Sequence, residues 1–79
     1  VMQQEAPSVE YKGLKEILAK ALETLPDIQR TVILLRDYEG YSYDEIGSIT
    51  GLNESQVKVY IFRARQTLKS YLGSMEGVI

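Results

Sequence analysis

Lys58, Val59, Phe62 and Arg63 combine two cations, an aliphatic side chain and an aromatic ring in one short stretch, with Asn53, Ser55, Gln56, Arg65 and Gln66 around them. Purine edges in the major groove of duplex DNA reward Arg, Lys and Gln, and thymine methyls reward apolar contact. The chemistry these residues suit is therefore non-covalent reading of base edges. Covalent and acid–base chemistry has little to work with. The chain has no cysteine and no histidine, so it lacks thiolate nucleophiles, cysteine-ligated zinc and any side chain whose ordinary pKa suits proton transfer near neutrality. The reading is non-enzymatic, with no cofactor, no metal and no small-molecule substrate.

Charge bears on this through its distribution. The formal net charge is −2, which on its own disfavours a nucleic-acid partner. Residues 1–45 hold Lys12, Lys15, Lys20, Arg30 and Arg36 against nine acids, whereas residues 46–79 hold Lys58, Arg63, Arg65 and Lys69 against Glu54 and Glu76. No acid lies between Ser55 and Leu72. On charge alone a solvated helix face is the simpler account of this basic stretch, so its apolar members must carry the distinction.

Helices at definite places are needed to present those residues. Seventy-nine residues with 44% hydrophobic and 25% charged side chains describe one small globular domain, burying roughly 60% of the surface its unfolded chain exposes. The expected fold is all-α, a small four-helix domain containing a helix-turn-helix. Residues 1–8 look like a linker remnant, with Ala6 and Pro7 breaking any helix, and the initial Val suggests a piece cut from a longer protein. Residues 9–73 form the domain, and Gly73 and Gly77 mark a frayed tail at 74–79. No apolar run approaches the ~20 residues of a membrane span, and no secretory signal is visible, so the expected location is cytoplasmic, without membrane insertion.

From Val9 to Leu25 the residues Leu14, Ile17, Leu18, Ala21, Leu22 and Leu25 recur at helical spacing and predict one apolar face. Pro26 ends that helix, and Asp27 is the expected N-cap of a second helix running to about Glu39. The run Val32–Leu35 either fills the centre of a bundle or receives a partner. Gly40 and Tyr41 form a joint. Ser42 and Glu45 then have the spacing of a capping box for a short third helix, with Tyr43, Ile46 and Ile49 inward and Gly51 at its end. Asn53 is the expected N-cap of a fourth helix that continues through Leu72.

On a wheel of about 100° per residue the fourth helix turns Val57, Ile61, Ala64, Leu68 and Leu72 inward, with Tyr60 and Tyr71 beside them. Ser55, Lys58, Val59, Phe62, Arg63, Gln66 and Lys69 face away. Exposed Val59 and Phe62 have no place on a purely solvated face, but they suit a helix lying in a major groove. A short helix, a tight turn and this longer helix make a helix-turn-helix whose second helix presents its early residues to bases. The amino terminus near Asn53, Ser55 and Gln56 offers N–H groups and a positive dipole to a phosphate. Glu54 either favours that dipole or accepts from cytosine.

The motifs Leu25-Pro26 with Gln29-Arg30, Leu34-Leu35-Arg36, Glu39-Gly40-Tyr41-Ser42-Tyr43-Asp44-Glu45-Ile46-Gly47, Gln56-Val57-Lys58 and Arg63-Ala64-Arg65 with Leu68 occur in order. In this the chain resembles region four of the extracytoplasmic-function group of bacterial sigma factors, over about Leu18 to Leu72. The resemblance implies that the fourth helix enters the major groove of the minus-35 promoter element, with Lys58, Val59, Phe62 and Arg63 nearest the bases. It implies double-stranded promoter DNA and the beta flap of RNA polymerase core as partners, the flap being gripped by the first two helices. It also admits an anti-sigma factor on the same surfaces. Arg65, at the edge of the inward stripe, is expected to meet a phosphate or a structural carboxylate. Where many members carry Pro-x-Gly-Thr-Val, this chain has Asn53-Glu54-Ser55-Gln56-Val57, and Val59 and Tyr60 replace a common Ser and Arg. These departures bear on base preference rather than on the fold.

Two other readings share these features. A response-regulator type of helix-turn-helix has a similar four-helix pattern but normally binds paired half-sites as a dimer. A helical protein-interaction module would use Val59 and Phe62 as anchors for a protein partner. The acids Asp37, Glu39, Asp44 and Glu45 have the wrong spacing for a calcium loop and are explained by capping and solvation. Tyr60, Tyr71 and Tyr43 lie at or beside the core, which argues against stacking on single-stranded bases.

Overall fold

A computed structural model describes residues 8–73, with side chains from Gly13 onward. It contains four helices: α1 at Ser8–Glu23, α2 at Asp27–Ile33 with a wider π-helical turn at Leu34–Tyr38, α3 at Tyr43–Thr50, and α4 at Glu54–Gly73. No strand occurs among the described residues. Of the linker and tail expected at the two ends, only Ser8 falls within the described residues, and it opens α1 rather than belonging to a linker.

The turn between α1 and α2 is closed by Arg30. The last carbonyls of a helix lack intrahelical donors, and here the Arg30 guanidinium donates to the Leu22 carbonyl through Nε at 3.2 Å and to the Leu25 carbonyl through Nη2 at 3.0 Å. Pro26, not Asp27, is the N-cap of α2. Its carbonyl accepts the first helical bond, from the Arg30 N–H at 3.0 Å, and the proline ring sets φ at −57° without wasting a donor. Asp27 becomes the first helical residue, and its carboxylate accepts from Arg30 Nη1 at 3.2 Å instead of capping the backbone.

The second helix does not continue regularly to Glu39. Glu39 N–H bonds to the Leu34 carbonyl, five residues back, and Tyr41 N–H to the Leu35 carbonyl, six back, both at 3.0 Å. Such widened turns are uncommon and insert an extra residue into the helical repeat. In this one Asp37 faces α4, while Tyr38 lies on the surface. Gly40 follows with φ +78°, a conformation that side chains rarely adopt.

The third helix begins as expected. Glu45 N–H donates to Ser42 Oγ at 3.1 Å and Ser42 N–H donates to Glu45 Oε1 at 2.8 Å, closing the capping box. It ends at Gly51, left-handed at φ +81°, whose N–H bonds to the Gly47 carbonyl. Gly47 has its own constraint: a Cβ there would stand 2.8 Å from the Leu52 backbone oxygen. The tight turn needs this close approach between α3 and the chain leaving it.

Leu25, Val32, Ile33, Ile46, Val57, Ile61 and Ala64 form one continuous core, ringed by partly buried Leu22, Ile28, Leu34, Leu35, Tyr43, Leu52, Tyr60 and Leu68. The central pairing is α2 against α4, with α3 packed on α4 beside it. Within Val32–Leu35 the first two residues are buried and the next two, partly buried, pack against the core, so the run contributes to the bundle centre. Two expected core residues are displaced. Leu14 is 44% exposed and Ile49 is 55% exposed. In an eight-residue helix one side chain can dominate the contact, and here Ile46 does so, leaving Ile49 about 60° off the contact line.

Candidate nucleic-acid interface

The fourth helix is anchored at its start by its own side chains. Gln56 N–H donates to Asn53 Oδ1 at 2.8 Å, and Asn53 N–H donates to Gln56 Oε1 at 3.0 Å. Asn53 is thus the expected N-cap, and Gln56 completes a reciprocal box in place of the usual glutamate. Both side chains are engaged with backbone, so the expected phosphate site at this terminus is already partly closed by the cap.

Beyond the cap, burial separates the two faces of α4. Val57, Ile61 and Ala64 are buried, and Leu68, Tyr60, Tyr71 and Leu72 are half-buried. Ser55, Lys58, Val59, Phe62, Arg63, Gln66 and Lys69 are all exposed. Phe62 retains 63% exposure and Val59 43%, which leaves both free to meet a partner at a cost to solubility that a purely structural face would not carry. Ser55, Gln56, Val59, Tyr60 and Arg63 outline a shallow open notch along the same side. Arg63 has no hydrogen-bond or ion-pair partner among the described residues.

Lys58 and Arg36 meet at the Tyr43 ring. Lys58 Nζ lies 3.1 Å from Glu54 Oε2, one helical turn earlier, with both side chains more than half exposed, and 5.5 Å from the centre of the Tyr43 ring. An exposed pair of this spacing contributes about 0.3–0.5 kcal/mol, so it orients Lys58 without trapping it. Arg36 covers the same ring at 4.4 Å and donates to the Tyr41 carbonyl at 2.9 Å. Tyr43 therefore supports one cation from α4 and one from the π-turn, a grouping that the separate helix patterns do not reveal. The Glu54–Lys58 spacing is visible in the chain as a glutamate four residues before a lysine.

Arg65 meets a carboxylate. Its Nη2 donates to Asp37 Oδ1 at 2.6 Å and its Nε to Asp37 Oδ2 at 3.3 Å. The hydrogen bond to Asp37 raises the arginine pKa above its ordinary value, against a smaller opposing effect of burial. A raised folded-state value places this stabilisation below the ordinary arginine range and its loss above that range, so it persists throughout neutral pH. Because both side chains are about half exposed, the pair should contribute modestly. A double-mutant cycle on Arg65→Ala and Asp37→Ala, read by urea melts, is expected to give a coupling of about 0.5–1 kcal/mol. Zero coupling, with Arg65→Ala lowering only DNA affinity, would return Arg65 to the phosphate role.

Glu45 closes the α3 box, and Asp44 lines an open cleft with Tyr43, Gly47, Ser48, Leu52, Asn53 and Glu54. No group of acids among the described residues is placed to hold a metal. No helix among them is long and apolar enough to cross a membrane.

A short helix, a turn closed by left-handed Gly51 and a longer helix with a mixed basic and apolar outer face define a helix-turn-helix DNA-binding domain. Residues 15–68 match the family described as Sigma-70, region 4, and the chain belongs to that family. It is 44% identical over 55 residues to the ECF RNA polymerase sigma factor SigE of Mycolicibacterium smegmatis, covering 70% of this chain and 21% of that protein. It is 38% identical over 55 residues to the ECF RNA polymerase sigma-E factors of Salmonella typhimurium and Escherichia coli K12, covering 70% of this chain and 29% of each. The chain thus matches between about a fifth and three-tenths of the length of these relatives. They lie in the same extracytoplasmic-function group that the motifs resemble, and the match displaces the response-regulator alternative.

Proposed function

We propose that this chain is the promoter-reading end of an extracytoplasmic-function sigma factor, which directs RNA polymerase by inserting α4 into the major groove of a minus-35 element. The supporting observation is the outer face of α4, where Lys58, Val59, Phe62 and Arg63 stand exposed above a buried stripe of Val57, Ile61 and Ala64. Lys58 and Arg63 meet purine acceptors, and Val59 and Phe62 meet thymine methyls. Ser55 and Gln66 flank these contacts, while Asn53, Gln56 and Arg65 act by fixing the start and pitch of α4. In this reading the beta flap of the polymerase takes the outer surface of α1 and α2, which includes exposed Leu14. An anti-sigma factor would act by covering either surface. Catalysis belongs to the polymerase.

Salt dependence tests the electrostatic part. If α4 and its neighbours neutralise three to four phosphates, affinity for a minus-35 duplex should fall about 40- to 150-fold between 50 and 200 mM salt. A protein-interaction surface built on Val59 and Phe62 would bind a protein instead and show no such slope. Fluorescence anisotropy with labelled duplex at several salt concentrations separates the two.

A further inference from the structure

The start of α4 carries a donor and an acceptor side by side on its edge nearest α3: Lys58 Nζ and Glu54 Oε2 are 3.1 Å apart and both side chains are open to solvent. We infer that Glu54 is a specificity-determining residue, and that the Glu54–Lys58 pair reads a single C·G base pair as a unit. This rests on the promoter-reading function proposed above and names one of the contacts that would give it sequence preference.

The complementarity is chemical. In the major groove a C·G pair presents the cytosine N4 amino donor next to the guanine O6 and N7 acceptors. An ammonium beside a carboxylate is the mirror of that edge. In free protein each member of the pair satisfies the other, and Lys58 Nζ also lies 5.5 Å from the centre of the Tyr43 ring. On a C·G edge both exchange partners together: Lys58 turns to guanine and Glu54 accepts from the cytosine amino group. Where the cytosine is replaced by thymine, the base edge turns an acceptor oxygen toward the carboxylate, and Glu54 is left without a donor beside like partial charge. The penalty for the wrong base therefore arises from Glu54, whereas Lys58 alone would tolerate any acceptor.

The amino-terminal cap of α4 is already completed by Asn53 and Gln56, so Glu54 is not needed to close it. The cleft beside Glu54 is lined by Asp44 as well, which disfavours a phosphate there and favours a donor such as an amino group.

The test is selection from a randomised duplex library by the 79-residue chain and by its Glu54→Ala, Glu54→Gln and Glu54→Asp variants, with the thermal melt of each protein recorded alongside. The wild-type chain is expected to enrich cytosine opposite guanine at one position of its site. Glu54→Ala should lose that preference by about tenfold while other positions keep theirs. Glu54→Gln should move the preference toward adenine, whose N6 and N7 suit an amide. Glu54→Asp keeps the charge for the helix dipole but shortens the reach, so it should melt with the wild type yet lose the cytosine preference. Unchanged preferences in Glu54→Ala, or a uniform loss at every position, would overturn the inference and leave Glu54 as a dipole partner only. A wild-type chain that selects no sequence would instead overturn the DNA-reading function itself.

Discussion

Ile46→Ala is expected to destabilise the domain by about 2–5 kcal/mol, the cost of removing a fully buried isoleucine side chain and leaving a cavity. Ile46 is completely inaccessible to solvent and is the buried residue of α3. A domain of 79 residues carries a stability of roughly 4–12 kcal/mol at the usual margin per residue, so this one change removes a large share of it. Urea melts followed by circular dichroism should show a midpoint far below that of the wild type. The matched control is Ile49→Ala, in the same helix and of the same chemistry, which should change stability by no more than about 0.5 kcal/mol because Ile49 is largely exposed. Equal costs for the two would mean that α3 is rotated from the position described here.

The contrast between these two isoleucines shows what the chain makes legible. Periodicity alone places Tyr43, Ile46 and Ile49 on one side of a helix, but a short helix against a single neighbour buries a narrower line than that. End signals were more informative. Ser42 with Glu45, left-handed Gly51 and Asn53 each act through groups within a few residues, so their spacing is enough to fix the outcome. Pro26 takes the N-cap position and Asp27 the first helical one, where its exposed carboxylate accepts from Arg30. The two bonds from Arg30 to carbonyls at the end of α1 span five and eight residues, beyond the reach of a cap pattern.

The outer face of α4 was readable for a related reason. A long helix without Gly or Pro before its end keeps its periodicity, so the exposure of Val59 and Phe62 follows from spacing alone. Its place at the edge of the stripe limits Arg65 to a phosphate or a carboxylate, but the choice depends on the π-helical turn that brings Asp37 across. Widened turns arise from tertiary packing, and Leu34–Tyr38 contains nothing that distinguishes it from ordinary helix. The same turn carries Arg36 to the Tyr43 ring. Two cations that look alike in the chain, Arg63 and Arg65, are therefore given opposite surroundings by an irregularity nearly thirty residues earlier.

That difference gives the second large expected effect. Arg63→Ala should weaken binding to a minus-35 duplex about 5- to 150-fold, equivalent to about 1–3 kcal/mol for loss of a good base contact. It should leave the melting temperature close to that of the wild type, since Arg63 makes no internal hydrogen bond or ion pair among the described residues and lies on the exposed face. Arg65→Ala should behave in the reverse sense, lowering stability through loss of its Asp37 pair and changing affinity less. The assays are anisotropy titration and thermal melts on the same preparations at fixed salt, because phosphate contacts and base contacts respond differently to ionic strength. A base contact by Arg63 further requires that the loss be larger on the preferred duplex than on a scrambled one. An equal loss on both would make Arg63 a phosphate contact, and no loss on either would remove the α4 face from the interface, leaving its exposed Phe62 to a protein partner.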